Sequence, residues 1–195
     1  MRGAEIRLKL KLSLCFLLIL LLSSCSSDNA EELKGALSSV TSAEYTAHIT
    51  ASFPDREAEY TISYTQSPEK VRASVISPKE VAGVSYTISG DEGFLEFDGA
   101  ILEIGKLDDS GISPFSCIYS LQNSWKNADF EEITRDTMYG KRAYFAISRE
   151  MTDTSETEYR TWFSEDGFLP LYSEIFSDGK RIIMCEFERA EHKIQ

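Results

Sequence analysis

Residues 45–53 are YTAHITASF, and residues 60–65 are YTISYT. In both stretches an apolar or aromatic residue alternates with a polar one, which is the period of a strand with one buried face. Residues 71–75 repeat this alternation. Turn residues around Pro54 and Pro68 separate the three stretches, so we expect three consecutive antiparallel strands.

The same period returns along most of the remaining chain. Glycine-containing turns separate further alternating stretches at Asp98-Gly99, Gly140, Gly167 and Gly179. We count about eleven strands, and the short loops favour antiparallel pairing of neighbours. The sequence therefore predicts an α+β fold with a single large curved antiparallel sheet and helices on one face.

Two segments have helical periodicity instead. The first is predicted at Ala30–Val40, with Asp28 or Asn29 as its N-cap. The second is predicted at Pro114–Lys126, where proline at the first helical position costs no hydrogen bond. The apolar face of the second helix carries Phe115, Ile118, Tyr119, Leu121 and Trp125.

Residues 1–24 have the features of an export signal. Basic residues precede the apolar run at 14–22, which is shorter than the ~20 residues that a spanning helix needs. The run ends at Leu22-Ser23-Ser24-Cys25, which resembles the bacterial lipobox. We expect cleavage before Cys25, acylation of its sulfur and a short tether at 25–29. An ordinary signal peptide with a chance cysteine, or an uncleaved anchor, remains the alternative.

The chain is acidic, with a formal net charge of -12. Removal of residues 1–24 takes away four basic residues and Glu5, which makes the net charge -15. Nucleic acid is excluded as a partner because clustered Lys and Arg are absent. We therefore expect attachment to the extracytoplasmic face of a cell membrane through acylated Cys25, without help from anionic lipid headgroups.

Signatures of an enzyme are absent. The chain contains no Gly-x-Ser-x-Gly, no His-Glu-x-x-His and no phosphate-binding glycine loop. His48 and His192 are the only histidines, and we expect both at the surface, so no metal site or cofactor is predicted. Outside the cytosol, Cys117 and Cys185 could form a disulfide, and two buried thiols are the alternative.

Two segments carry a resemblance to a known family. Residues 67–72 (SPEKVR) and 162–171 (WFSEDGFLPL) are similar to stretches of the LolA-like lipoprotein-carrier superfamily. The resemblance covers residues 30–190 and leaves a tail at 191–195. It implies an incomplete barrel whose concave apolar side holds acyl chains under a helical lid, with both predicted helices as lid candidates. It also implies a lid contact for Arg72, for which a solvent-facing position on a strand is the alternative.

Apolar side chains of the strands and of the second helix are the candidates for a ligand cavity, and packing in an ordinary core is the alternative. The candidates are Tyr60, Ile62, Tyr64, Val71, Val75, Tyr86, Ile88, Phe115, Ile118 and Trp125. The first functional hypothesis is an anchored lipoprotein that binds a lipid or a lipid-modified protein. The second is an extracytoplasmic sensor or regulator that uses this same predicted fold to bind an envelope protein.

Overall fold

The computed structural model describes residues 27–89, 92–105, 112–127, 130–153 and 155–194. The chain divides into two compact units, Met1–Gly35 and Ala36–Gln195. The predicted signal peptide and Cys25 lie outside the described residues. Within the described residues, no helix combines the length and the apolar character needed to cross a bilayer.

Among the described residues, the structure confirms two helices and eleven strands. Helix α1 is Ser27–Ser38 and helix α2 is Cys117–Asn127. The strands are β1 Val40–Ser52, β2 Glu57–Gln66, β3 Lys70–Ser77, β4 Ser85–Ser89, β5 Glu92–Phe97, β6 Ala100–Gly105, β7 Glu132–Met138, β8 Lys141–Met151, β9 Glu156–Ser164, β10 Pro170–Ser177 and β11 Lys180–Ile194.

All eleven strands form one antiparallel sheet, in the order β6-β5-β4-β3-β2-β1-β11-β10-β9-β8-β7. Strands that follow one another in the chain are paired, except β6 and β7, and β1 additionally pairs with β11. Two meanders thus meet at the centre, and β6 and β7 remain as free edges, so the sheet does not close. This is the large open antiparallel sheet that the sequence predicts.

The register determines which side chains share a face. Tyr45 of β1 lies opposite Tyr64 of β2, and the rings stack with centroids 5.6 Å apart. Because directly opposite residues point to the same side of a sheet, this pairing defines one face, which we call the inner face. Helix α2 packs on it, with Trp125 edge-on to Tyr45 and to Phe163 of β9. The outer face is the opposite one.

Several element boundaries differ from the predictions. Helix α1 begins at Ser27, so Asp28 and Asn29 lie inside it rather than at its N-cap or in the predicted tether. It ends at Ser38, because Val40 already pairs with Ile194 as the start of β1. That pairing also extends β11 through the predicted tail. Helix α2 begins at Cys117 rather than at Pro114, because Ser113 and Ser116 form a hydrogen-bonded turn that leads into it.

Candidate ligand-binding face

Trp125 attaches α2 to the inner face. Its indole Nε1–H donates to Thr161 Oγ1 at 3.0 Å, and Thr161 is in turn 2.9 Å from Ser173 Oγ. The ring lies 5.2 Å from that of Phe163 between centroids. A buried aromatic residue with a satisfied polar tip combines hydrophobic stabilisation with a fixed orientation. Trp125 therefore sets the position of the last turn of the helix.

A chain of buried polar groups runs beneath the helix. Tyr64 donates its hydroxyl to Gln122 Oε1 at 2.7 Å, and Gln122 Nε2 donates to the hydroxyl oxygen of Tyr45 at 3.3 Å. The Tyr45 hydroxyl also bonds to His192 Nε2. Buried polar groups need such partners, because an unsatisfied one costs its full desolvation energy. The chain of bonds thus joins α2, β1, β2 and β11.

Burial determines the ionisation of these hydrogen-bonded side chains. Burial raises the pKa of Tyr45, although the hydrogen bond from Gln122 opposes the rise. Burial, then Tyr45 and Tyr119, raise the pKa of Tyr64. Burial, followed by the charge of Lys126, lowers the pKa of His192 to about 4. At neutral pH all of these groups are therefore uncharged, and Tyr45 and His192 share a hydrogen bond between two neutral side chains.

The structure brings the predicted cavity residues to one face. The register places Tyr60, Ile62 and Tyr64 beside the inner-face residues of β1, and Val75 opposite Ile62. Phe115 lies 5.6 Å from Tyr60 between ring centroids. Seven of these side chains expose less than one tenth of their surface: Ile62, Tyr64, Val71, Val75, Tyr86, Ile118 and Trp125. Tyr60, Ile88 and Phe115 are half-buried. The central part of this face is thus packed against α2.

Further from the centre, the inner face becomes progressively exposed. Tyr86 of β4 lies opposite Leu95 of β5, which lies opposite Leu102 of β6. Tyr86 is 4% exposed, Leu95 is half-buried and Leu102 is 61% exposed. We call Tyr86, Ile88, Leu95 and Leu102 the β4–β6 strip. It is an apolar surface that continues from the core to the edge of the sheet.

Tyr86 contributes a polar group to this strip. Its buried hydroxyl has no hydrogen-bond partner among the described residues. Burial, and then Tyr119 of α2, raise the pKa of Tyr86 to about 12, so the hydroxyl is protonated and can donate at neutral pH. An unpartnered buried hydroxyl is costly, and a ligand oxygen would remove this cost.

Arg72 does not contact α2, contrary to the resemblance. It pairs with Thr65 and Thr87, which places it on the outer face. There its guanidinium donates to Ser85 Oγ at 2.8 Å and lies 3.5 Å from Glu96. Successive residues of a strand point to opposite faces of the sheet. Arg72 lies between the inner-face residues Val71 and Ala73, so its side chain points to the outer face, away from α2.

A polar groove of about 580 Å³ lies at one end of the central strands. The lining residues Glu44, Thr65 and Arg72 are mutually opposite across β1, β2 and β3, so their side chains belong to the outer face. Lys70 and Lys193 also line it, together with Glu191. The charges in this groove are mixed, and it lies apart from the β4–β6 strip.

Sequence reasoning missed Gln122 and His192. His192 was expected at the surface, yet it is half-buried and bonded to Tyr45, because β11 continues through it along β1. Gln122 lies between Ile118 and Trp125 on the apolar face of α2. A lone polar residue in such a position, opposite a tyrosine-rich sheet, is a signal that could have revealed it.

Cys117 and Cys185 are both fully buried, with their sulfur atoms 3.8 Å apart. Within the part of the chain that the structure describes, no group of three or more His, Cys, Asp or Glu side chains could hold a metal ion.

No family model and no curated protein match the chain. An uncharacterized conserved protein from Thermus thermophilus has a similar structure, with a TM-score of 0.51, 11% identity and coverage of 87% of this chain and 88% of that one. For an outer membrane lipoprotein-sorting protein domain from Vibrio parahaemolyticus, described as putative, these values are 0.49, 10%, 85% and 91%. For a LolA superfamily protein from Nitrosomonas europaea they are 0.45, 10%, 87% and 94%. At 11% identity, the similarity to the Thermus thermophilus structure is one of fold alone.

Proposed function

We propose that this protein is a membrane-anchored extracytoplasmic lipoprotein that binds the acyl part of a lipid or of a lipid-modified protein on the inner face of its sheet. The observation that carries the proposal is the β4–β6 strip. It extends from packed Tyr86 to exposed Leu102. An acyl chain laid along this strip would bury apolar surface that is otherwise open to solvent.

The strip offers both parts of an amphiphile a partner. Leu95 and Leu102 present hydrocarbon, and each methylene buried on them contributes about 0.8 kcal/mol. The free hydroxyl of Tyr86 can donate to an ester or amide carbonyl at the head of the chain. Apolar walls with a few placed polar groups are typical of small-molecule sites.

Native mass spectrometry of residues 26–195 after exposure to membranes tests the binding. We expect an added mass that disappears on extraction with organic solvent. A clean unliganded mass under every condition would contradict the proposal.

Two substitutions on β6 locate the site. Leu102→Asp places a charge on the inner face, and we expect it to weaken binding of a fluorescent fatty acid at least tenfold, because a charge cannot be buried against the acyl chain. Ile101→Asp is the matched control, because Ile101 is the adjacent residue, is 69% exposed and lies on the outer face. Equal loss in both variants would exclude the strip as the binding surface.

A second candidate, binding of an envelope protein, is favoured by the edge strand β6. Four of the large apolar side chains that are exposed in the described residues lie on the β5–β6 hairpin: Phe97, Ile101, Leu102 and Ile104. A free apolar edge can accept an added strand from a partner. This function predicts that Ile101→Asp weakens partner binding, whereas lipid binding alone predicts no effect of this variant.

A further inference from the structure

The two remaining cysteines of the folded domain meet where α2 touches the centre of the sheet. Cys117 is the first residue of α2, and Cys185 lies on β11 between Ile49 of β1 and Ser173 of β10. Both side chains are 0% exposed, and the two sulfur atoms are 3.8 Å apart. Residues 68 positions apart in the chain are therefore in direct sulfur–sulfur contact.

The surroundings of the pair leave little other chemistry open to it. Cys117 Sγ is 3.2 Å from the carbonyl oxygen of Pro114, and no metal-binding group of side chains is found among the described residues. Both histidines lie elsewhere, since His48 belongs to the outer face near Glu59 and His192 bonds to Tyr45. A thiol nucleophile would need a base beside it, and neither histidine is beside this pair.

We propose that Cys117 and Cys185 form a disulfide in the exported protein, which covalently joins the first turn of α2 to the central strand β11. Two S–H bonds break and one S–S bond forms. Two electrons and two protons pass to an envelope thiol–disulfide oxidoreductase, whose own S–S bond breaks and which becomes a dithiol. The proposal rests on the export predicted from residues 1–24 and is independent of any ligand.

The folded environment indicates when this bond forms. The hydrogen bond with Cys117 and burial raise the pKa of Cys185, so the thiolate needed for exchange is disfavoured once α2 has packed. An oxidoreductase therefore has better access to the two thiols before α2 packs over β11 than afterwards, when both side chains are 0% exposed. After closure the bond is shielded from reductants for the same reason, because the attacking thiolate cannot reach a fully buried sulfur.

A peptide map of the full chain tests the proposal directly. The protein is isolated from membranes in the presence of N-ethylmaleimide, digested without reduction and analysed by mass spectrometry. We expect a linked pair of peptides that contain Cys117 and Cys185 and that separate on reduction. Recovery of both peptides unlinked, each with an alkylated cysteine, would overturn the proposal.

Thermal unfolding distinguishes a disulfide from two buried thiols, because only a disulfide makes the unfolding midpoint depend on reductant. Reduction in denaturant, followed by refolding in the presence of reductant, should lower the unfolding midpoint of the wild-type protein by about 10 °C, because the bond closes a long loop of the unfolded chain. Reductant should leave the Cys117→Ala/Cys185→Ala variant unchanged. In Cys185→Ala alone, Cys117 should become alkylated in denaturant, which controls for the labelling reaction. An unchanged wild-type midpoint under reductant would count against the bond.

Discussion

At the scale of single residues, His192 couples the fold to pH. Burial and the nearby Lys126 lower its pKa to about 4, below the ~6.5 of an exposed histidine. Between these two values the unfolded chain binds the proton and the folded chain does not, so the free energy of unfolding rises with pH through this window. The stability that depends on neutral His192 is present above pH 6.5 and is lost as the pH falls toward 4.

His192→Gln should therefore flatten the stability profile between pH 4 and 6.5. We expect the wild-type protein to lose about 1–2 kcal/mol more than the variant over this range, after allowance for partial exposure of the imidazole. Urea unfolding at several pH values measures the difference. His48→Gln on the outer face is the matched control, and it should retain the wild-type slope. Identical slopes for wild type and His192→Gln would refute this role.

Tyr64 and Gln122 form a second residue-scale test. Tyr64→Phe leaves Gln122 Oε1 without its buried donor and should cost about 1–3 kcal/mol of stability. The double variant with Gln122→Leu should cost less than the sum of the single variants, because both partners are then removed. Urea unfolding of the four proteins completes the cycle. Strict additivity would show that the 2.7 Å bond contributes nothing.

These residues also show the limit of sequence reasoning about the site. The alternation of apolar and polar residues is enough to predict that Tyr60, Ile62 and Tyr64 share one face of the sheet, and the strand register confirms this. Alternation could not identify Leu95 or Leu102 as inner-face residues. Consecutive residues of the β5–β6 hairpin are apolar, as at Ile101 and Leu102, so the pattern does not show which of them points to the inner face.

At the scale of elements, local signals predicted the strands but not their order. Turns such as Asp98-Gly99 separate alternating stretches, and both residues there have positive φ, as a tight hairpin requires. Nothing local indicates that β1 pairs with β11, because alternation specifies a face and not a neighbour. Because no local signal indicates this pairing, the sequence predicts a tail at 191–195 rather than a continuation of β11.

Two glycines should respond oppositely to the same substitution. Gly35 lies inside α1, and a Cβ there meets nothing within 4 Å, so Gly35→Ala should stabilise the protein by about 0.5–1 kcal/mol. Gly99 has φ +79° in the β5–β6 turn, so Gly99→Ala should destabilise it by about 1 kcal/mol or more. Thermal unfolding of both variants measures the two shifts. A stabilising Gly99→Ala would contradict the assigned turn.

At the scale of the whole molecule, the net charge opposes binding to a membrane surface, whereas the predicted acylation favours it. The net charge of -15 expected after removal of residues 1–24 repels anionic lipid headgroups. The folded part therefore supplies no general electrostatic attraction to a membrane. We therefore expect stable attachment to come from the acyl chains predicted on Cys25, because two chains suffice where one gives only marginal binding.

Cys25→Ala tests this division of roles. We expect the variant to leave the membrane fraction, or to accumulate unprocessed at a larger size, because no sulfur remains to be acylated. Cys15→Ala is the matched control within the predicted signal peptide and should keep both the size and the membrane association of the wild type. The released variant should also fail to bind phosphatidylglycerol vesicles at low salt, where electrostatic attraction would be strongest. Retention of Cys25→Ala in the membrane fraction at the wild-type size would show that the acyl chains on Cys25 are not what holds the protein there.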